Sequence, residues 1–235
     1  VMERLDKRLA ATGQWSRKEA KELIRAGRVS VRDQVCRNPE EKVEQDTPVA
    51  VDGTAIGAAG PVYLMLHKPA GVVSATEDGR DKTVLDLRPQ RDQGLGLFPV
   101  GRLDKDTEGL LLISNDGPLA HRLLSPRHHV DKVYYVEVDG NLDGEDVEAV
   151  SQGIVLKDGY QCMPGKLELL PGKSAAYITI REGIYHQIKR MMAARGKPVT
   201  YLKRTKFGPL ELDEKLDKGG WRALTTQEIQ SLFSQ

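Results

Sequence analysis

Apolar residues in the first sixty positions fall at helical spacing and then alternate. Leu5, Leu9 and Ala10 share one face of a short helix, and Ala20, Leu23 and Ile24, at i, i+3 and i+4, share one face of a second. Ser16 and Glu19 frame the start of the second helix as a capping box, each satisfying an otherwise free backbone N–H, and Gly27 supplies a left-handed stop. Val29 with Val31, and Val49 with Val51, alternate as strands, and Asp52-Gly53 closes a turn. This pattern predicts a helix pair followed by a small β element. Residues 57–61 are small residues ending in a proline and read as a linker, so two domains, 1–58 and 59–235, are expected.

Beyond the linker the periodicity changes. Strands are predicted at 62–66, 72–74, 109–114, 133–138, 167–169 and 176–180, and a turn at Asn115-Asp116-Gly117. Helices are predicted at 119–124, 143–152 and 186–194, the last closed by Gly196 with Pro198 beyond. Thr225 and Glu228 form a second capping box and open a C-terminal helix. Strands outnumber helices and come in consecutive runs, which predicts an α+β fold with a mainly antiparallel sheet rather than a βαβ repeat.

Composition narrows the setting. A chain of 235 residues with 39% apolar positions can bury a core without staples. Its two cysteines, Cys36 and Cys162, are isolated from each other, which fits a reducing compartment. The longest apolar run, 109–113, falls far short of the roughly 20 residues that span a bilayer. The first residues carry no apolar signal segment, so a cytoplasmic protein with no membrane partner is expected. The net charge of +1 conceals segregation. Residues 1–32 hold nine basic and four acidic residues, 33–60 hold two and six, and 181–206 hold eight and one. Two separate basic segments point to a polyanion bound on defined faces.

Several chemistries lack their motifs. There is no phosphate-binding Gly-x-x-x-x-Gly-Lys loop, no third glycine after Gly94-x-Gly96, and no Gly-x-Ser-x-Gly elbow. The five histidines show no metal-ligand spacing, so no metal is expected. Aromatic residues make up 5% of the chain and no aromatic RNA-reading strand is present, so RNA would be held in pockets and by phosphate contacts. One segment does concentrate chemistry. Residues 101–112 read Gly-Arg-Leu-Asp-Lys-Asp-Thr-Glu-Gly-Leu-Leu-Leu, a loop with three carboxylates leading into an apolar strand. By spacing alone, Asp104 and Asp106 are either an acid–base pair of the glycosidase kind or an ordinary acidic turn.

Two resemblances resolve more. The run RLDKRLAATGQWSRKEAKELIRAGRVSV resembles the S4 RNA-binding domain. That resemblance implies that Arg17, Lys18, Lys21, Arg25 and Arg28 contact RNA phosphates. Gly101-Arg-Leu-Asp104-x-Asp-Thr-x-Gly-Leu-Leu-Leu112 resembles the signature of pseudouridine synthases of the RsuA/RluA branch. Lys132-Val-Tyr134-Tyr-Val136 resembles their second motif, and Glu182-Gly-Ile-Tyr-His-Gln-Ile-Lys-Arg-Met191 their third. With the S4-like unit, the likeness covers essentially the whole chain in order.

The resemblance implies a small N-terminal S4-like domain plus a larger pseudouridine synthase domain with a mainly antiparallel sheet. It implies Asp104 as the catalytic aspartate, Tyr134 as the tyrosine that packs on the target base, and Lys189 as the cation paired with the aspartate. Leu202 would line the uracil pocket, and Arg102 would lie near the flipped nucleotide. Uridine becomes pseudouridine when the N1–C1′ bond breaks, uracil turns, and C5 bonds to C1′. Nothing is oxidised and no group is imported, so no cofactor is expected, and Asp106 is left a structural role. The implied partner is ribosomal RNA or a subunit assembly intermediate, bound by a monomer. Ser125-Pro-Arg-His-His129 and the Tyr-His-Gln of the third motif favour a 16S over a 23S rRNA target. A catalytically silent RNA-binding assembly factor is the other alternative.

Overall fold

The computed structural model describes residues 2–44, 47–56, 61–88 and 96–234, so the linker expected at 57–61 lies almost wholly outside the described residues. The chain packs as two units, Val1–Val62 with Leu87–Phe98, and Tyr63–Asp86 with Pro99–Gln235.

In the first unit β1 (Met2–Arg4) leads into α1 (Leu5–Ala11) and then α2 (Arg17–Arg25). The capping box forms as predicted: Ser16 Oγ accepts from the Glu19 N–H, and Glu19 accepts from the Ser16 N–H at 2.7 Å. Gly27 has φ +75°, and the Arg28 N–H closes on the Leu23 carbonyl at 3.1 Å, ending α2 in a Schellman turn. Then follow β2 (Val29–Val31), β3 (Gln34–Val35), β4 (Lys42–Glu44), β5 (Val49–Val51) and β6 (Thr54–Ala55). The order β3-β2-β5-β6 makes an antiparallel sheet, while β1 pairs with β4. Leu5, Leu9, Ala20 and Ile24 are fully buried against Val29, Val43 and Val49, so the predicted apolar faces form this core.

The second unit contains β7 (Tyr63–Lys68), and after the short strand β8 (Phe98–Val100) come β9 (Glu108–Ser114) and α3 (Gly117–Leu124). Next are β10 (Lys132–Val138), α4 (Gly144–Gln152), β11 (Lys166–Leu169), β12 (Ala175–Ile180) and α5 (Gln187–Ala194). The chain ends in β13 (Val199–Phe207), β14 (Leu210–Glu211), β15 (Trp221–Ala223) and α6 (Thr226–Phe233). The sheet runs β11-β12-β10-β13-β9-β7-β15. It is antiparallel except where β13 meets β9. All seven residues of β9 are buried, as its apolar run requires.

Several elements differ from expectation, among them the short strands β1, β3, β4, β6, β8, β14 and β15, which the sequence pattern does not announce. Residues 72–74 form no strand: Val73 makes a single bridge to Thr83, and Ser74 turns its hydroxyl to the backbone of Leu103. The turn expected at 115–117 is instead a helix start, with Asp116 accepting from the Leu119 N–H at 3.0 Å. The nine-residue strand β13, in the middle of the sheet, was not predicted. Its buried positions include Leu202, Arg204 and Phe207, and the arginine breaks the apolar alternation that marks a strand.

Candidate active site

Asp104 lies in the loop that enters β9, and the backbone around it is fixed from several sides. Ser74 Oγ donates to the Leu103 carbonyl at 2.9 Å and accepts from the Leu103 N–H at 3.0 Å. The Thr107 N–H closes a turn on the Asp104 carbonyl at 3.0 Å. Lys68 at the end of β7 is fully buried and donates to the carbonyls of Pro69, Lys105 and Thr107 at 3.0, 3.1 and 2.7 Å. Burial pulls its pKa down to about 8, partly opposed by Asp106 and Asp104, so the ammonium is still charged at neutral pH and uses all three donors. At Gly109, with φ +110°, a Cβ would lie 2.2 Å from the Arg204 carbonyl oxygen. The glycine of the 101–112 motif therefore lets β9 run against β13, which brings the Asp104 loop beside that strand.

Lys68→Met keeps the bulk but leaves three buried carbonyls without a donor. Relief of the buried charge offsets part of that loss, and a net destabilisation of about 2–4 kcal/mol is expected. Urea unfolding measures it, and a loss below about 1 kcal/mol would show that Lys68 does not brace the loop.

Lys189 on α5 faces both carboxylates of the loop. Its Nζ is 3.2 Å from Asp104 Oδ2 and 2.5 Å from Asp106 Oδ1. Burial alone would lower the Lys189 pKa, but the bonds to Asp106 and Asp104 outweigh it and hold the group above its ordinary value. The hydrogen bond from Lys189 likewise holds Asp106 below the usual carboxylate range. His186, the left-handed residue that precedes α5, places Nε2 3.6 Å from Asp104 Oδ1, and its ring stacks on Tyr185 with centroids 3.8 Å apart.

Asp104, Lys189 and His186 border a cleft of about 550 Å³. Asp104, Lys189, Tyr134, Leu202 and Arg102 all line it, so the five positions singled out in this part of the sequence converge on one space. Tyr134 and Leu202 are buried in its wall, on the adjacent strands β10 and β13, and Arg102 is exposed. Asp106 is not in the wall, and its side chain is 73% exposed against 29% for Asp104. The two carboxylates share one lysine and do not face each other across the cleft, which removes the glycosidase-like pair.

The basic segment 181–206 is less free than its composition suggests. Besides Lys189, ion pairs occupy Arg181 with Asp131, Arg190 with Asp158, and Arg195 and Lys197 with Asp146. Lys203 reaches Glu214 and Lys206 reaches Glu211. In the first unit Arg28 pairs with Asp52 at 2.5 Å and Arg17 with the buried Asp6 at 3.3 Å. Lys18, Lys21 and Arg25 form no ion pair among the described residues.

Residues 62–194 match the RNA pseudouridylate synthase family, and residues 3–49 match the S4 domain. The chain belongs to the RNA pseudouridylate synthases. It is 45% identical over 233 residues to the uncharacterized RNA pseudouridine synthase YtzG of Bacillus subtilis, covering 97% of this chain and 98% of that protein. It is 40% identical over 231 residues to ribosomal small subunit pseudouridine synthase A of Vibrio cholerae, covering 98% and 99%. A crystal structure titled as a pseudouridylate synthase is similar at 34% identity and a TM-score of 0.70, covering 97% of this chain and 99% of that one. The expected α+β architecture, an S4 domain followed by a synthase domain, is the one found.

In this synthase, sequence reasoning missed the residues that hold the site. Ser74, Lys68 and His186 act through backbone carbonyls or a left-handed turn, which leave no spacing to read. In the sequence Glu182 is only the first residue of a motif. It accepts from Tyr160 Oη at 2.7 Å, the Met163 N–H at 2.9 Å and Gln187 Nε2 at 2.8 Å, and so anchors the turn before α5.

Proposed function

We propose that this synthase converts uridine to pseudouridine in small-subunit ribosomal RNA, with Asp104 as its catalytic carboxylate. The observation that carries the site assignment is the convergence of Asp104, Lys189, Tyr134, Leu202 and Arg102 on one cleft. The relative in Vibrio cholerae is named for the small ribosomal subunit and aligns over nearly the full length of both chains, which supports the rRNA substrate.

The cleft supplies what the rearrangement needs. An ionised Asp104 attacks C1′ or removes a proton at C2′, and either act requires the charge that Lys189 stabilises. Tyr134 and Leu202 form an apolar wall for the detached base, and Arg102 at the exposed edge meets a phosphate of the flipped nucleotide. Unstacking the uridine costs a few kcal/mol, and phosphate contacts offset it. The first domain, residues 1–58, supplies further contacts. Lys18, Lys21 and Arg25 contribute most, because Arg17 and Arg28 already face carboxylates. The protein acts as a cytoplasmic monomer on rRNA or on an assembly intermediate. No described helix is long and apolar enough to cross a membrane.

Mass mapping of pseudouridine in small- and large-subunit rRNA, incubated with the protein, tests the substrate. A product confined to large-subunit rRNA would overturn the small-subunit assignment. The S4 contribution has its own test. Replacing Lys18, Lys21 and Arg25 together by Gln lowers the slope of log K against log salt by roughly 0.7–0.9 for each phosphate lost, about 2–3 in all. Arg28→Gln changes the slope by less than half a unit, because its charge is shared with Asp52. An unchanged slope in the triple variant would remove this face from the RNA contact.

A further inference from the structure

Among the described residues, seven of the eight basic residues in 181–206 have a carboxylate within ion-pair distance, and Arg204 does not. It is also the most buried of them, 2% exposed. Buried guanidinium groups are ordinarily paired, since an uncompensated charge costs several kcal/mol out of water. The Arg204 Nε donates to the Leu110 carbonyl at 2.9 Å, and its guanidinium lies 4.8 Å from the Phe207 ring centroid. Its Nη2 has no partner among the described residues. A second cation, Lys132, stands close enough for the two charges to repel. Burial first, and then Arg204, pulls the Lys132 pKa down to about 8.

Both cations line the cleft that holds Asp104. Arg204 is the register partner of Tyr134 and lies two residues beyond Leu202 on the same strand. It therefore stands at the wall where the base packs rather than at the exposed edge with Arg102. A locally positive wall beside the base, in which Arg204 has no carboxylate among the described residues, suits a negative charge that exists there only during the reaction.

That charge has an identifiable source. On the reading that this cleft carries out the rearrangement, breaking N1–C1′ leaves the bonding pair on uracil N1. The detached base is then an anion, with its charge spread over N1, O2 and O4. When C5 bonds to C1′, the C5 proton is lost and N1 takes up a proton, so atoms and charge balance. We propose that Arg204 stabilises this detached uracil anion by its charge, acting on leaving-group departure beside the carboxylate role given to Asp104. The arrangement works as an oxyanion hole does, by a fixed positive group set beside the place where charge develops.

Arg204→Gln removes the charge and should lower kcat about 10²- to 10³-fold, the range seen when one such donor is removed. Arg204 also ties β13 to β9, so loss of activity alone does not separate the two roles. The discriminating measurement uses small-subunit rRNA transcripts carrying uridine or 5-fluorouridine, in single turnover, with loss of the original nucleoside read by mass spectrometry. Fluorine withdraws electrons and makes uracil a better leaving group, so the 5-fluoro substrate depends less on Arg204. The expected result is a defect at least tenfold smaller on the 5-fluoro transcript than on the uridine transcript. Equal defects on both would overturn the proposal and leave Arg204 a structural residue. A defect confined to KM and sensitive to salt would also overturn it, by making Arg204 a phosphate contact. If Arg204→Gln does not fold, as judged by near-ultraviolet circular dichroism, Arg204→Lys is compared in the same way, with a smaller defect and the same substrate dependence expected. Asp104→Asn run in parallel separates the two readings: full activity there would refute the cleft itself, whereas inactivity there with equal Arg204 defects refutes only the present inference.

Discussion

Asp104→Asn should lose pseudouridine formation by about 10⁴-fold or more while binding rRNA within about threefold of the native protein. The substitution preserves shape, and the amide oxygen can still accept from Lys189. What it removes is the negative charge, and with it both the nucleophile and the base. Asp106→Asn supplies the contrast. Asp106 has the shorter contact with Lys189, 2.5 Å against 3.2 Å, so distance alone would favour it as the paired carboxylate. Its exposed side chain, outside the cleft wall, argues the other way: a carboxylate in water is well solvated and has no bound ribose to attack. Asp106→Asn is therefore expected to stay within about tenfold of native kcat. Release of tritium from RNA labelled at uracil C5 measures both variants. An inactive Asp106→Asn beside an active Asp104→Asn would reverse the assignment.

Legibility in the sequence followed the reach of each interaction. In the S4-like unit the two helices and the strands β2 and β5 were readable, because a capping box, an apolar face and a left-handed glycine are local, whereas the short strands β1, β3, β4 and β6 carry no such signal. The cleft was readable at Asp104, Tyr134 and Lys189 because they sit in motifs whose order along the chain resembles a known family. The strand β13 was not readable. Its inward positions include Arg204, and a charge at a core position breaks the period of two on which strand prediction depends. The same residue that hid the strand is the one basic residue of 181–206 without a carboxylate among the described residues, a local inconsistency of the kind expected at functional sites. The braces of the loop were unreadable for another reason. Lys68 and Ser74 hold backbone carbonyls and amides 29 to 39 residues away in sequence, and no side-chain pattern announces such a bond. The seven paired basic residues along 181–206 show a related limit. Composition counts charges, but only the fold shows which carboxylates already answer them.

Lys189→Met should lower pseudouridine formation on the order of 10³-fold near neutral pH, with partial recovery as pH rises. The native lysine is held above its ordinary value of 10.5 by Asp106 and Asp104, so it stays charged throughout the neutral and mildly alkaline range. Its loss removes the cation in direct contact with both carboxylates of one short loop and leaves Lys68, whose ammonium is taken up by three backbone carbonyls, as the remaining buried cation near them. Like charges at close range, one of them partly buried, favour uptake of a proton, and a protonated carboxyl is neither nucleophile nor base. Raising the pH removes that proton and restores part of the rate. Lys189→Arg retains the charge and is expected within about thirtyfold of native activity, the loss reflecting a planar donor in place of a compact one. Stability gives an independent reading. Asp106 lies below its ordinary 3.8 in the folded protein because Lys189 bonds it, so this contribution is present above that value and disappears as pH falls through the folded value. Without Lys189 the contribution is absent at all pH, and stability should change less steeply on acidification below about pH 4. A Lys189→Met protein with native activity, an unchanged rate profile and an unchanged acid limb would remove Lys189 from the site, and α5 would then be a helix with a basic face and no role beside Asp104.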